Sequence, residues 1–286
     1  MFRAALRFAR PAALMLVAVV AMACVGTAGA AAPTASPKPE DPDKVIFRVS
    51  WDGGFVSPDM LLGRLPIVVV YADGRVITQG PQIEIYPGPL MPTLLERTLS
   101  KAGLERLIEL ARDKDLLRTV HYDFAGIADA PDTVLEINLD GKAYRVSAYA
   151  LAESGTDGDD EATNEGRAAL RAFLDALTGV PAADFVDEEH PYAYDALRLF
   201  WSRVEIARDD APGEPTPVAW PLGDLASVGD AVENPAIEVR CDVLDGDDLA
   251  TVLPLLRDAH ELSVFKSGDA FYRFIPRPLL PDESGC

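Results

Sequence analysis

Three histidines make up the whole imidazole complement of the 286-residue chain: His121, His190 and His260. Imidazole is the side chain whose ordinary pKa allows proton exchange near neutrality, so acid–base chemistry would start there. His121 stands in His121-Tyr122-Asp123; His190 follows Asp187-Glu188-Glu189, with Asp195 close behind. A carboxylate beside either ring would raise its pKa and orient it for hydrolysis, which makes His121, Asp123, His190 and Asp195 the candidate catalytic groups. Against this, the chain carries 46 acidic residues, and any histidine in it finds an acid nearby. His260 closes a helical pattern, where a cation complements the terminal carbonyls, and reads as structural.

No Gly-x-Ser-x-Gly elbow presents a nucleophile, no His-Glu-x-x-His pair holds zinc, and no Walker glycine loop cradles phosphate. A glycosidase needs only two carboxylates at a set separation, which this composition neither excludes nor nominates. The acidic loop Asp157-Gly158-Asp159-Asp160-Glu161 and the group Asp242, Asp245, Asp247 and Asp248 offer oxygens to calcium, but neither has the alternating spacing of a calcium loop. Both read as solvated helix entries, with Asp247 or Asp248 as an N-cap. Two distant cysteines and three scattered histidines give no zinc spacing, so no metal and no cofactor is expected.

Binding is the other option. Trp51, Phe55 and Tyr86, the last followed by the rigid Pro87-Gly88-Pro89-Leu90, fall at expected strand ends and loops. Aromatics on stiff loops make a binding surface at low entropic cost. Arg97 is close in sequence and would pair with a ligand or with an internal acid. The plainer alternative is that these rings close the end of a sheet core.

Short strands and helices must position these groups. Residues 45–51 alternate and are broken by Asp52-Gly53-Gly54; residues 94–99 form a further strand. Residues 65–71 and 75–79 flank Asp73-Gly74, and residues 133–139 and 143–150 flank Asp140-Gly141, two hairpin signals. Ser100 caps a helix carrying Leu104, Leu107, Ile108 and Ala111 and ending near Asp115. A second helix over 162–178 presents Ala168, Leu170, Phe173, Leu174 and Leu177 inward. Strands over 196–206 and 237–243, a helix carrying Leu249, Val252, Leu255 and Leu256, and a hairpin of 263–266 with 270–275 follow. The pattern predicts an α+β fold: antiparallel sheets built from hairpins, helices packed on one face, in two subdomains. Their bounds are 45–180 and 193–286, with the acidic, Pro-bounded residues 181–192 as a linker.

Residues 1–30 read as a secretory signal: a basic start with Arg3, Arg7 and Arg10, an apolar run, then Gly26-Thr27-Ala28-Gly29-Ala30. Cleavage after Ala30 would release a secreted protein. Ala21-Met22-Ala23-Cys24 is an imperfect lipobox that would instead place a lipid on Cys24. Residues 31–44 are Pro- and Ala-rich and suit an extended tether in either case. Outside the cytosol, Cys241 and Cys286 are expected to bridge, contributing roughly 4 kcal/mol in the chain-entropy model. The formal net charge is −20, and without residues 1–30 it is −23, from 23 basic and 46 acidic residues. A polyanion repels phosphate backbones and anionic lipid, which excludes nucleic acid and leaves the membrane reachable only through a lipid on Cys24. A protein, peptide or glycan partner, favoured if cationic, fits that charge.

Gly53-Gly54-Phe55, Tyr71-Ala72-Asp73-Gly74-Arg75, Ile85-Tyr86-Pro87-Gly88-Pro89, Trp220-Pro221-Leu222 and Arg277-Pro278-Leu279-Leu280-Pro281 with the final Cys286 span most of the exported part. In these stretches the chain resembles secreted proteins and lipoproteins of unknown function from high-GC actinobacteria, and 20 Arg over 6 Lys fits such a source. The resemblance implies a compartment and no activity. Together these features predict an extracytoplasmic, non-catalytic binding or interaction protein, the alternative being a secreted hydrolase that uses carboxylate or His–Asp groups.

Overall fold

The computed structural model describes residue 39 and residues 41–82, 84–153, 160–206, 216–233 and 238–286, all within a unit spanning Pro33–Cys286. The elements begin with β1 (Val45–Gly53), α1 (Pro58–Gly63), β2 (Val68–Tyr71), β3 (Arg75–Gln79), β4 (Leu94–Thr98) and α2 (Lys101–Asp113). Then come β5 (Val120–Tyr122), β6 (Pro131–Leu139), β7 (Lys142–Tyr149), α3 (Glu161–Thr178) and β8 (His190–Pro191). A second group follows: β9 (Ala196–Val204), β10 (Val218–Ala219), β11 (Asp230–Val232) and β12 (Val239–Asp245). It ends with α4 (Gly246–Asp258), β13 (Phe265–Ser267) and β14 (Ala270–Pro278).

The strands form two sheets, ordered β5-β7-β6-β1-β2-β3-β4-β8 and β10-β13-β14-β9-β12-β11. This is the α+β architecture in two subdomains that the hairpin pattern predicts. Asp140 and Gly141 both hold positive φ, 53° and 73°, the backbone that a tight turn between β6 and β7 requires. Two pairs depart from the antiparallel expectation: β5 with β7 and β10 with β13 are parallel. Parallel partners are joined by long connections, so no local turn signal announces them.

In the first sheet Phe47 and Val49 stand opposite Ile137 and Leu135, and these side chains share a core with α2 and α3. Ser100 caps α2, its hydroxyl accepting from the Gly103 amide at 3.0 Å. Along α3 the buried stripe is Gly166, Leu170, Phe173 and Leu177, and the Phe47 and Phe173 rings meet at 5.2 Å. Each such leucine or phenylalanine contributes roughly 1.5–3 kcal/mol by leaving water. Ala168 corrects the expectation: it is exposed, since it lies about 200° around the helix from Leu170. Arg167 is buried in its place, donating to the Tyr149 carbonyl at 2.8 Å.

In the second sheet β9 is central, and Leu197, Leu199 and Trp201 pack with Leu249, Val252 and Leu256 of α4. The cap of α4 also differs from expectation. Asp245 is the N-cap residue without a side-chain cap bond, and Asp247 and Asp248 lie in the first turn, where their charge complements the helix dipole.

Residues 181–192 are docked rather than extended between subdomains. A short turn at Ala182–Asp184 lets the Ser100 amide donate to the Asp184 carbonyl, the Thr98 amide donates to Asp187, and β8 pairs with β4. Phe185 packs on the first core, which is the apolar contribution that holds this acidic stretch in place.

The opposite face of the first sheet receives the C-terminal tail. Leu280 is buried with Val45, Leu65, Val69 and Tyr71. Asp282 pairs with Arg48 at 2.6 Å and accepts from the Tyr71 hydroxyl at 2.8 Å, and Glu283 makes two bonds to Arg277. Cys286 then bonds to Cys241, Cα to Cα 6.0 Å apart. The bridge expected from the cysteine count is present.

Candidate functional site

The four candidate catalytic residues do not converge. His121 is on β5 and His190 on β8, the two outer strands of the eight-stranded sheet, roughly 34 Å apart at the usual strand spacing. Asp123 is exposed and accepts from the Phe124 amide. His190 is exposed, its Nδ1 directed at the carbonyl of Pro191, and Asp195 is an exposed residue leading into β9. The proximity in sequence was local acidity.

His121 does have partners that the sequence reading missed. Its Nδ1 lies 2.9 Å from Ser147 Oγ and 3.7 Å from Asp132 Oδ1. A serine, a histidine and an aspartate thus meet, but not as a catalytic triad. A triad needs the serine on one ring nitrogen and the acid on the other, whereas here both approach Nδ1. Ser147 is also buried, so no substrate reaches its oxygen. The parallel pairing of β5 with β7 sets His121 beside Ser147, and that pairing left no trace in the local pattern.

Ser263-Val264-Phe265-Lys266 has Ser-x-x-Lys spacing, also missed in the sequence. Lys266 lies in β13, whereas Ser263 precedes the strand in the turn after α4. Ser263 accepts from the His260 amide at 3.0 Å and Lys266 lies over the Phe271 ring. The tetrad ties a turn and a hairpin together. Among the described residues no group of three or more His, Cys, Asp or Glu is placed to hold a metal ion. Asp157, Asp159 and Cys24 lie outside the described residues.

Of the four binding candidates, Arg97 is spent internally. Its guanidinium stacks 3.8 Å from the Phe185 ring centre and reaches the Asp187 carbonyl. Tyr86 is 80% exposed at the tip of a loop braced on the end of α4, where the Leu90 amide donates to Ala259 and the Glu261 amide to Gly88. Phe55 is 87% exposed beyond β1, and Met60 and Leu61 of α1 are exposed as well.

Trp51 is different. It is 44% exposed and forms part of a cleft of about 510 Å³ between the first sheet and α3. Val49, Ile67, Val68, Leu151 and Leu174 give the cleft hydrocarbon surface. Thr133, Glu153, Arg171, Asp175 and Thr178 add polar groups, and Arg171 Nε donates to the Leu151 carbonyl at 3.3 Å. The cleft lies along the flank of α3, where Arg171, Leu174, Asp175 and Thr178 follow one another at helical spacing, against the sheet residues Val49, Trp51 and Thr133. Sequence reading singled out Trp51; the rest needed the helix laid on the sheet.

The strongest electrostatics lie elsewhere, under the C-terminal tail. Burial alone would raise the Glu283 carboxyl, but the paired bonds from Arg277 and one from the Leu280 amide outweigh it and hold it below its ordinary value. Burial followed by the charge of Asp282 pushes the Tyr71 hydroxyl far up, so it stays a donor. Comparison with protein families, with curated proteins and with solved structures finds no match for this chain.

Proposed function

We propose that this chain is an exported, non-catalytic binding protein whose ligand seat is the cleft beside Trp51. The observation that carries the reading is the cleft itself: about 510 Å³, apolar over much of its lining, with a few polar groups and an exposed indole. Small-molecule sites are typically concave, roughly 300–1,000 Å³, and built in this way. The scattering of His121, Asp123, His190 and Asp195 supports binding over hydrolysis. The Cys241–Cys286 bridge supports export, since such bonds persist in oxidising compartments. No described helix is long and apolar enough to cross a membrane. The net charge of −20 favours cationic partners at long range.

Nile red, a neutral apolar dye, tests the seat. It should bind saturably, one per chain, and Ala152→Phe, which fills the cleft from an exposed position, should abolish binding while leaving the melting midpoint unchanged. Unsaturable binding, or binding indifferent to that substitution, sinks the proposal. Export is tested by the mass of the native N-terminus: a start at Ala31 or lipid on Cys24 supports it, and an intact Met1 leader overturns it.

A further inference from the structure

We infer that the cleft beside Trp51 takes an organic ammonium compound, a small molecule with a hydrocarbon body and a positively charged nitrogen. The inference rests on the cleft being a ligand seat and adds the class of ligand. Three properties of the lining point the same way.

The first is apolar surface, given chiefly by the partly buried Ile67 and Leu174, which offers no side-chain hydrogen bond and rewards a hydrocarbon body by removing it from water. The second is Trp51, whose indole is open to the cleft. A tryptophan ring face attracts a cation more strongly than any other aromatic side chain does. The third is charge. Glu153 and Asp175 line the cleft against the one guanidinium of Arg171, which already donates to the Leu151 carbonyl. The lining is therefore net negative, in a chain that is itself at −20. An anionic ligand would meet like charge both at the rim and on approach. An ammonium group meets the indole and the Asp175 carboxylate together.

Octylammonium, octanoate and octanol share a tail and differ in charge, so they separate the ligand class from simple apolar binding. Trp201 and Trp220 are buried, which leaves Trp51 as the solvent-exposed reporter for a fluorescence titration. Octylammonium should saturate the change and bind at least about tenfold tighter than either other probe, a difference of about 1.4 kcal/mol or more. Asp175→Asn, at an exposed helix position, should narrow that preference several-fold, read as the ratio of octylammonium to octanol affinity in the same variant. Equal binding of octanoate or octanol, or no octyl probe binding where Nile red does, overturns the ammonium inference and leaves the seat standing. Failure of Nile red together with all three probes overturns both.

Discussion

Glu283 is held by Arg277 through bonds of 2.6 and 2.7 Å and by the Leu280 amide at 3.2 Å, in a largely dry position. The resulting depressed pKa has a definite consequence for stability. In the unfolded chain the carboxyl titrates near its ordinary value of 4.5, so the contribution is complete above that pH. It is lost as pH falls through the lower folded pKa. Acid unfolding of the native chain should therefore steepen below about pH 4.5, and Glu283→Gln should flatten that limb. A Gln variant with an unchanged acid limb would show that the pair is already broken in solution. Arg277→Ala should cost about 3–5 kcal/mol in urea denaturation, because it strands a buried carboxylate. Replacing both partners, as in Arg277→Met with Glu283→Leu, should cost much less, since neither charge is then left unpaired. A double variant as damaged as the single one would mean that Arg277 acts through its Arg64 carbonyl contact instead.

Helix α2 meets residues 182–184 so closely that Gly103 has no room for a methyl group. A Cβ there would lie 2.8 Å from the Asp184 carbonyl oxygen, the acceptor for the Ser100 amide. In an open helix Gly→Ala stabilises by up to about 1 kcal/mol. Here Gly103→Ala should instead destabilise by about 1–3 kcal/mol, the usual cost of overpacking. Thermal unfolding decides the sign, and a stabilised variant would show that this turn does not press on α2. The same contact explains what was legible in the sequence. Asp140-Gly141, the Ser100 cap and the stripe of α2 are encoded within a few residues and read correctly, as does the stripe of α3 apart from Ala168. Residues 181–192 read as a linker because acid and proline dominate them. Their docking depends on Phe185 lying under Arg97, a contact between residues 88 positions apart in sequence. Ser147 and Asp132 beside His121 were invisible for the same reason. Trp51 was legible as an exposed aromatic, while its cleft depends on how the flank of α3 lies over the sheet.

The eight-stranded and six-stranded sheets are joined by few elements, and the tail that carries both acid clamps is one of them. Loop contacts at Gly88 with Glu261 and Leu90 with Ala259, and Leu62 of α1 beside Phe200, join the subdomains independently of the tail. The tail adds Leu280 on the first sheet, Asp282 to Arg48, Arg198 Nε to the Gly285 carbonyl at 2.7 Å, and the bridge to Cys241 on β12. These two sets predict graded behaviour. Cys286→Ser removes a closure worth at most roughly 4 kcal/mol but leaves the ion pairs, so unfolding should stay a single transition at a lower denaturant midpoint. Deleting residues 282–286 removes bridge and clamps together, and the subdomains should then unfold separately. The tryptophans report this directly, because Trp51 lies on the first sheet while Trp201 and Trp220 pack in the second core. In the truncated chain the Trp51 signal, taken as the difference from a Trp51→Phe variant, should part from that of the other two. Coincident curves at the full-length midpoint would show that the loops and α1 suffice, and that the acidic tail closes a surface without coupling the sheets.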